Sequence, residues 1–192
     1  MATIAIFPSV LGIRRGITDC ADMLRGAGHI VTIVDFYEGR SFSDYEEAMA
    51  LSESIGLEVL MERALSSVKN MTDGFYVIGF SNGSGLAQYV ALNRQVSGAV
   101  LCAGALPIDM LGYESWPAGV PAMIHQTVND PWTDDGFNET FMRAVASAGA
   151  DCEYILYPGN GHLFMDADLP DEYDAAATER FEKRVKQFLD GA

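Results

Sequence analysis

The sequence VIGFSNG, residues 77–83, places Ser81 between Gly79 and Gly83 directly after a run of apolar, β-forming residues. Glycine weakens both strands and helices, so the pair needs a structural reason. An ordinary turn is one interpretation. The other is the pattern G-x-S-x-G, in which a serine lies on a sharp corner between a strand and a helix and the glycines avoid a steric clash. Because the chain has 19 glycines, the pattern alone arises easily by chance, and its surroundings decide.

Those surroundings are apolar runs that alternate with amphipathic segments from end to end, without an internal repeat. The apolar runs predict strands over residues 3–7, 30–35, 75–79, 99–102, 122–126 and 153–157. The amphipathic segments predict helices over residues 18–25, 43–68, 82–92, 137–148 and 173–189, the second beginning at a capping box formed by Ser43 and Glu46. We predict one domain, residues 1–192, of the α/β class, with a doubly wound, mostly parallel sheet of about six strands flanked by helices.

The composition limits which binding partners and which cellular compartment we expect. The chain has 27 acidic residues against 12 lysines and arginines, a formal net charge of −15, which would repel nucleic acids and anionic membranes. Cys20, Cys102 and Cys152 have no spacing typical of a disulfide framework or a zinc site, so we expect buried thiols in a reducing compartment. No segment is apolar over the ~20 residues of a membrane span, and the N-terminus lacks the features of a signal peptide. We expect a cytoplasmic protein with no metal or cofactor.

Doubly wound sheets bind ligands at the carboxyl ends of their strands, and Ser81 follows the third predicted strand. The N–H of Asn82, at a helix N-terminus, is predicted to point toward the oxygen of a carbonyl group that Ser81 attacks. A serine becomes nucleophilic when a base accepts its proton. Of the three histidines, His162 alone is predicted to lie at this edge, since His29 precedes a strand and His125 lies within one. A solvated loop histidine is the alternative interpretation of His162.

The base needs a carboxylate on its second ring nitrogen, and Asp130 is the first carboxylate beyond the fifth predicted strand. Asp134 and Asp135 are nearby alternatives, because any aspartate of so acidic a chain can be a solvated surface charge. The order Ser81, Asp130, His162 is the order of nucleophile, acid and base in α/β-hydrolases. The sequence therefore predicts a catalytic triad.

With these motifs in place, the sequence resembles the dienelactone hydrolase family of α/β-hydrolases over nearly its whole length. The resemblance rests on FPSVLG through VDFYEG at residues 7–39, on VIGFSNGSG, on HQTVND and on YPGNGHLF. It implies a compact α/β-hydrolase fold with Ser81 as nucleophile and Asp130 and His162 as its partners. It also implies that the backbone N–H groups of Asn82 and Val10 form the oxyanion hole.

Three positions depart from the family's pattern. Dienelactone hydrolases proper have a cysteine nucleophile, where this chain has Ser81. Ser9 replaces a glutamate of the loop after the first strand. The family's cationic residue after the histidine, which helps to hold a substrate carboxylate, is missing from the segment LFMDAD, which contains Asp166. The resemblance therefore implies a serine hydrolase but leaves its specificity for an anionic lactone open.

Loops at the carboxyl edge supply candidates for substrate binding. The apolar candidates are Tyr113, Trp116, Trp132, Phe164 and Met165, which line a pocket or, alternatively, hold their loops against the core. Arg14, with Arg15 beside it, is the candidate for binding a substrate carboxylate, and a solvated loop is the alternative. Residues 103–120 are predicted to form a long connection without helical period.

The predicted activity is hydrolysis of a small ester or lactone through an acyl-serine intermediate. A carboxylesterase or acyl-thioesterase acting on alkyl or acyl chains is the first alternative. A binding module that keeps the fold without catalysis is the second alternative, and it is disfavoured because no member of the predicted triad is missing. The expected partner is a small-molecule ester or lactone.

Overall fold

A single parallel sheet forms the centre of the computed structural model, which describes residues 1–133 and 136–191. Its strands are β1 (Thr3–Phe7), β2 (Ile30–Ile33), β3 (Phe75–Phe80), β4 (Val96–Cys102), β5 (Ala122–Thr127) and β6 (Cys152–Tyr157). They lie in the order β2-β1-β3-β4-β5-β6, and every neighbouring pair is parallel. The predicted doubly wound α/β sheet is therefore confirmed.

Helices cover both faces of this sheet. They are α1 (Arg15–Gly26), α2 (Tyr45–Ile55), α3 (Leu57–Ser67), α4 (Asn82–Asn93), α5 (Phe137–Ser147) and α6 (Ala175–Asp190). On one face, buried side chains of α1 and α6 pack against Ile4 and Ile6; on the other, those of α3, α4 and α5 pack against Ala5 and Phe7. Alternate residues of a strand point to opposite faces, so a strand covered on both faces is apolar throughout. Over the described ranges, no helix combines the length and apolar character that a membrane crossing requires.

The predicted single helix over residues 43–68 is wrong, because the segment forms two helices that meet at Gly56. Gly56 has φ 86° and ψ 146°, a non-helical conformation that glycine adopts without a Cβ clash. The capping prediction is wrong by one residue. Asp44, not Ser43, is the N-cap of α2, and its carboxylate accepts a hydrogen bond from the N–H of Glu47 at 2.9 Å.

The long connection predicted over residues 103–120 contains one short 3-10 helix, Ile108–Leu111, which ends at Gly112 in a left-handed conformation. All three cysteines have free thiols: Cys20 and Cys102 are buried, as predicted, whereas Cys152 is half-buried. Burial raises the pKa of the Cys20 thiol to about 12, with a smaller contribution from the charge of Glu182. A thiol with so high a pKa is a poor nucleophile at neutral pH.

Candidate active site

The order in which the strands are added to the sheet reverses at β1, and two loops lie at this reversal. β2 lies on one side of β1 and β3 lies on the other, so the loops after β1 and β3 flank an open crevice. In doubly wound sheets, ligands bind in this crevice at the carboxyl ends of the strands. Val10 lies on the first of these loops, and Ser81 directly follows β3.

Ser81 lies on a strained corner of the backbone. Its φ of 56° and ψ of −123° are unusual for a residue with a Cβ atom, and α4 begins at the next residue. A Cβ atom on Gly79 would lie 2.5 Å from the Cα of Ser84, and one on Gly83 would lie 2.8 Å from the carbonyl carbon of Phe7. These are backbone atoms that cannot move aside, so the predicted steric reason for the two glycines is confirmed.

Three side chains from three loops meet beside this corner. The imidazole Nε2 of His162 lies 2.7 Å from Oγ of Ser81. The Nδ1 of the same ring lies 2.9 Å from both carboxylate oxygens of Asp130. The structure therefore brings the three predicted triad residues into one hydrogen-bonded chain, and their catalytic role remains a prediction.

The surroundings of Asp130 favour its ionised form. Burial by itself raises the pKa of this carboxyl, but hydrogen bonding to His162 and the charge of that ring lower it, and the net pKa lies below the ordinary value. The backbone N–H of Trp132 donates to Asp130 at 2.9 Å, and the side-chain amide of Gln126 donates at 3.2 Å. An ionised Asp130 is the state that holds Nδ1 protonated and leaves Nε2 free to accept a proton.

The remaining histidines have no contact with Ser81. His125 is fully buried within β5, as predicted, and its Nδ1 lies 2.8 Å from the hydroxyl of Tyr157. The Nδ1 of His29 accepts a hydrogen bond from the N–H of Ala2 at 3.2 Å, at the amino end of β1. The alternative carboxylates Asp134 and Asp135 lie outside the described residues.

The proposed oxyanion donors lie on the two loops of the crevice. The first turn of α4 lies in close contact with the segment that follows β1. This contact is seen at Gly83, where an added Cβ atom would clash with the carbonyl oxygen of Pro8. The loop beyond Pro8 turns back on itself: Oγ of Ser9 accepts a hydrogen bond from the N–H of Leu11 at 3.2 Å. Among the hydrogen bonds of the described residues, neither the N–H of Val10 nor that of Asn82 donates. Both groups remain available for the predicted role.

Ser81 and His162 lie between two lobes of one cleft, which also share Asn82 and Trp132 as lining residues. The larger lobe has a volume of ≈ 310 Å³ and the smaller lobe ≈ 190 Å³. The apolar lining of the larger lobe includes Leu57, Met61, Leu86, Ala103, Ala105, Leu106, Leu111 and Phe137. The smaller lobe is completed by Val10, Tyr45, Met49, Ser52 and Glu53. A substrate carbonyl next to Ser81 would thus have space on either side for the two halves of an ester.

Two aromatic rings flank the imidazole of His162. The ring centroid of Trp132 lies 6.0 Å from that of His162, and the centroid of Tyr45 lies 6.3 Å away. The hydroxyl of Tyr45 donates to Glu172 at 3.0 Å, and the other oxygen of Glu172 accepts from the N–H of Leu163 at 2.6 Å. Tyr45 and Glu172 thereby connect α2 to the loop that carries His162, a contact that the sequence did not reveal.

Of the predicted substrate-binding residues, Trp132 lines the cleft, whereas the others lie elsewhere. Trp116 is buried against Phe141 at 4.9 Å between ring centroids, and Phe164 is fully buried in the core with Met165. The hydroxyl of Tyr113 donates to the side chain of Asn93 at 2.8 Å, away from both lobes. Trp116, Phe164 and Met165 therefore fit the alternative interpretation, in which they hold their loops against the core, whereas Tyr113 contacts α4 at the surface.

The structure also corrects both interpretations of Arg14. Its Nε donates to Asp166 at 2.7 Å, and its two terminal nitrogens donate to the backbone oxygens of Phe42 and Asp168. With a side chain only 11% exposed, Arg14 is neither a solvated loop residue nor part of the lining of the cleft. Arg15 is exposed and pairs with Asp19, but it is the first residue of α1 and not a loop residue.

Sequence reasoning missed most of the cleft lining. Leu57 and Met61 come from α3, and Met49 comes from α2. Apolar residues of amphipathic helices are ordinarily assigned to the core, and the sequence does not show which of them face a cleft. Leu57, for example, is 57% exposed, although its position in the amphipathic pattern of α3 does not distinguish it from a core residue.

Structural comparison identifies the α/β-hydrolase fold. A dienelactone hydrolase-like promiscuous phosphotriesterase from metagenomic libraries superimposes with a TM-score of 0.82 at 18% identity, covering 100% of this chain and 86% of that chain. The alpha/beta hydrolase domain-containing protein 10 from mouse gives 0.69 at 13% identity, covering 98% and 90% of the two chains. The RedJ thioesterase from the prodiginine biosynthetic pathway in Streptomyces coelicolor gives 0.66 at 14% identity, covering 96% and 84%.

Sequence comparison gives the family. No curated protein matches this chain. The profile of the dienelactone hydrolase family, in contrast, matches residues 1–192, so the match includes all three triad candidates. The protein is a hydrolase that belongs to the dienelactone hydrolase family.

Proposed function

We propose that this protein hydrolyses carboxylic esters or lactones through an acyl-serine intermediate. The observation that carries the proposal is the imidazole of His162, which lies 2.7 Å from the hydroxyl of Ser81 and 2.9 Å from the carboxylate of Asp130. An imidazole held by a buried carboxylate and bonded to a serine hydroxyl is the arrangement that activates serine in acyl transfer.

In the first step, Nε2 of His162 accepts the proton of Ser81 as Oγ attacks the substrate carbonyl carbon. The carbonyl oxygen becomes an oxyanion, to which the N–H groups of Val10 and Asn82 donate hydrogen bonds. The tetrahedral intermediate then collapses, and the imidazolium gives its proton to the departing alkoxide. The products of this step are the alcohol and the acyl-serine.

In the second step, a water molecule takes the place of the alcohol. Nε2 accepts a proton from this water as its oxygen attacks the acyl carbon, and Oγ of Ser81 leaves with that proton. Asp130 stays ionised throughout, because its surroundings hold the pKa of the carboxyl below the ordinary value. Its charge stabilises the imidazolium in both steps.

An active-site label tests the proposal directly. We expect a fluorophosphonate to add once to the native protein, because only an activated serine attacks it, and peptide mapping to locate the adduct on Ser81. Ser84 is the internal control, since its hydroxyl already donates to the carbonyl of Cys102 at 2.9 Å and has no base beside it. Ser81→Ala and the heat-denatured protein should remain unlabelled. An adduct on Ser84, or none on folded native protein, would contradict the proposal.

An acyl thioester is a second candidate for the substrate, and the apolar lining of the larger lobe supports it. One structural neighbour is described as a thioesterase. The two candidates are separated by an oxygen ester and a thioester that carry the same acyl group. A kcat/KM for the thioester that exceeds the ester value and rises with acyl length would favour the second candidate.

A further inference from the structure

The larger lobe offers a ligand an apolar wall. Eight of its lining side chains are hydrocarbon or thioether, contributed by α3, α4, α5 and the connection after β4: Leu57, Met61, Leu86, Ala103, Ala105, Leu106, Leu111 and Phe137. Gly85 lets Leu106 approach the first turn of α4, because a Cβ atom on Gly85 would lie 2.8 Å from a methyl group of Leu106. The side chain of Leu106 therefore packs against Gly85 of α4 as part of the wall of this lobe.

The polar side chains at the base of this lobe are already paired with one another. The amide nitrogen of Gln126 donates to Asp130 at 3.2 Å and to Thr133 at 2.6 Å. Its oxygen accepts from Asn138 at 2.6 Å and from Tyr154 at 2.8 Å. The oxygen of Asn138 in turn accepts from the N–H of Ala105 at 2.8 Å. With a further bond from the Asn138 nitrogen to Tyr154 at 3.1 Å, the donors of both amides and the oxygen of Gln126 are all used, so the amides offer a ligand little beyond their bulk and one acceptor site on Asn138.

Among the residues that the structure describes, neither lobe is lined by a permanently cationic side chain. Of the described residues that line them, none is lysine or arginine, whereas Glu53 lines the smaller lobe and ionised Asp130 lies behind Gln126. Arg14, the cationic residue expected near the site, has its guanidinium bound to Asp166 instead. A carboxylate placed in the larger lobe would lose its hydration without gaining a partner, at a large cost in free energy.

We propose that the substrates are esters whose acyl part is apolar and uncharged and lies in the larger lobe, and that esters with a carboxylate on the acyl part are poor substrates. This inference rests on the proposed function, because it assigns a substrate class to the same serine. It departs from the anionic lactone that the family resemblance suggests. The apolar lobe selects for uncharged acyl groups, and the negative field of Asp130 and Glu53 selects against anions.

Two esters of similar length test the inference in the wild-type protein. para-Nitrophenyl pentanoate has an uncharged acyl group, and the para-nitrophenyl monoester of succinic acid carries a carboxylate near the same position. We expect kcat/KM for the succinate ester to be lower by about tenfold or more, because its carboxylate is desolvated without a partner. Ser81→Ala supplies the background rate for both esters.

A single substitution of Leu57, an exposed residue of the larger lobe, tests whether this lobe causes the preference for an uncharged acyl group. Leu57 is 57% exposed, so a lysine there can keep its ammonium group hydrated and should not disturb folding. We expect Leu57→Lys to raise the succinate-to-pentanoate ratio of kcat/KM by roughly threefold or more, and high salt to reduce the gain. Leu57→Gln is the matched control for the loss of an apolar contact without a gain of charge, and its ratio should rise much less than that of Leu57→Lys and should not respond to salt.

The outcomes separate the inference from the proposed function. Equal kcat/KM for the two wild-type esters, or a ratio unmoved by Leu57→Lys, overturns the inference and leaves the proposed function in place. A fluorophosphonate adduct on Ser81 without turnover of the pentanoate also overturns only the inference. Absence of both the adduct and any ester turnover in the folded protein overturns the proposed function.

Discussion

At the scale of single residues, the negative charge of Asp130 is stabilised by a hydrogen-bond donor outside the candidate triad, the side-chain amide of Gln126. Gln126 reaches Asp130 from β5, and its own oxygen is held by Asn138 and Tyr154. The amide thus joins the acid of the candidate triad to α5 and β6. Hydrogen bonds to a charged group contribute more than those between neutral groups, so this contact helps to fix the angle at which the carboxylate meets His162.

We expect Gln126→Met to lower kcat by roughly tenfold to a hundredfold, because Asp130 loses a donor and becomes less well oriented. KM should change less than kcat, since methionine keeps most of the bulk that Gln126 presents to the larger lobe, whereas the orientation of the imidazole is lost. Steady-state kinetics on an uncharged ester, with circular dichroism to verify folding, provides the measurement.

Tyr154→Phe is the control for this residue. It removes a partner of the Gln126 oxygen while leaving the donor to Asp130 in place, so its effect on kcat should be much smaller. Equal losses in the two variants would show that the amide acts through general packing and not through Asp130.

At the scale of elements, the corner between β3 and α4 is fixed by close approach of backbones. The space beside Gly79 is occupied by the backbone of Gly83 and Ser84, and the space beside Gly83 by that of Phe7 and Pro8. A strand, a helix and the end of the neighbouring strand therefore meet with no room for a methyl group. The position of Ser81 is a property of this junction as a whole.

We expect Gly79→Ala or Gly83→Ala to lower the free energy of unfolding by about 1–3 kcal/mol or more, because the added methyl meets backbone atoms. Each should also reduce fluorophosphonate labelling, since the corner must shift to relieve the contact. Chemical denaturation and the labelling rate together provide the measurement. Gly26→Ala is the matched control: nothing lies within 4 Å of its added methyl, and its unfolding free energy should stay close to that of the wild type.

The strands and the site residues could be predicted from the sequence, whereas other features of the elements could not. All six strands were predictable: β1, β3, β4 and β5 are apolar runs because both of their faces are covered, and the partly exposed edge strands β2 and β6 are still rich in β-forming residues. The meeting of Ser81, Asp130 and His162 was predictable as well, because the carboxyl ends of parallel strands share one edge. The break at Gly56 was not, since a single glycine is tolerated in an amphipathic helix. The cleft lining from α2 and α3, and the ion pair of Arg14 with Asp166, depend on how loops and helices pack, which no local pattern records.

At the scale of the whole molecule, the buried histidine of β5 makes folding sensitive to acid. Burial, with smaller contributions from the charges of Arg184 and Arg180, lowers the pKa of His125 from 6.5 to about 3. The unfolded chain therefore binds a proton at His125 below pH ~6.5, whereas the folded protein does so only near pH 3. The corresponding stability is fully present above pH ~6.5 and is lost progressively as the pH falls toward 3.

We expect His125→Phe to reduce the loss of unfolding free energy between pH 7 and pH 5 by about 2 kcal/mol, because phenylalanine does not titrate. Urea unfolding at the two pH values measures this difference, which does not depend on any change in absolute stability caused by the substitution. His125→Gln should give the same reduced pH dependence. A wild-type pH dependence in both variants would contradict a neutral His125 in the folded protein.

The ion pair between Arg14 and Asp166 joins positions that are 152 residues apart in the chain. It connects the loop that carries Val10 to the loop that carries His162. Contacts between such distant parts of a chain form slowly. During synthesis, Ser81 and its corner emerge from the ribosome long before the histidine. We therefore expect fluorophosphonate labelling of Ser81 in the nascent protein to begin only after the loop that follows β6, which carries His162, has joined the fold.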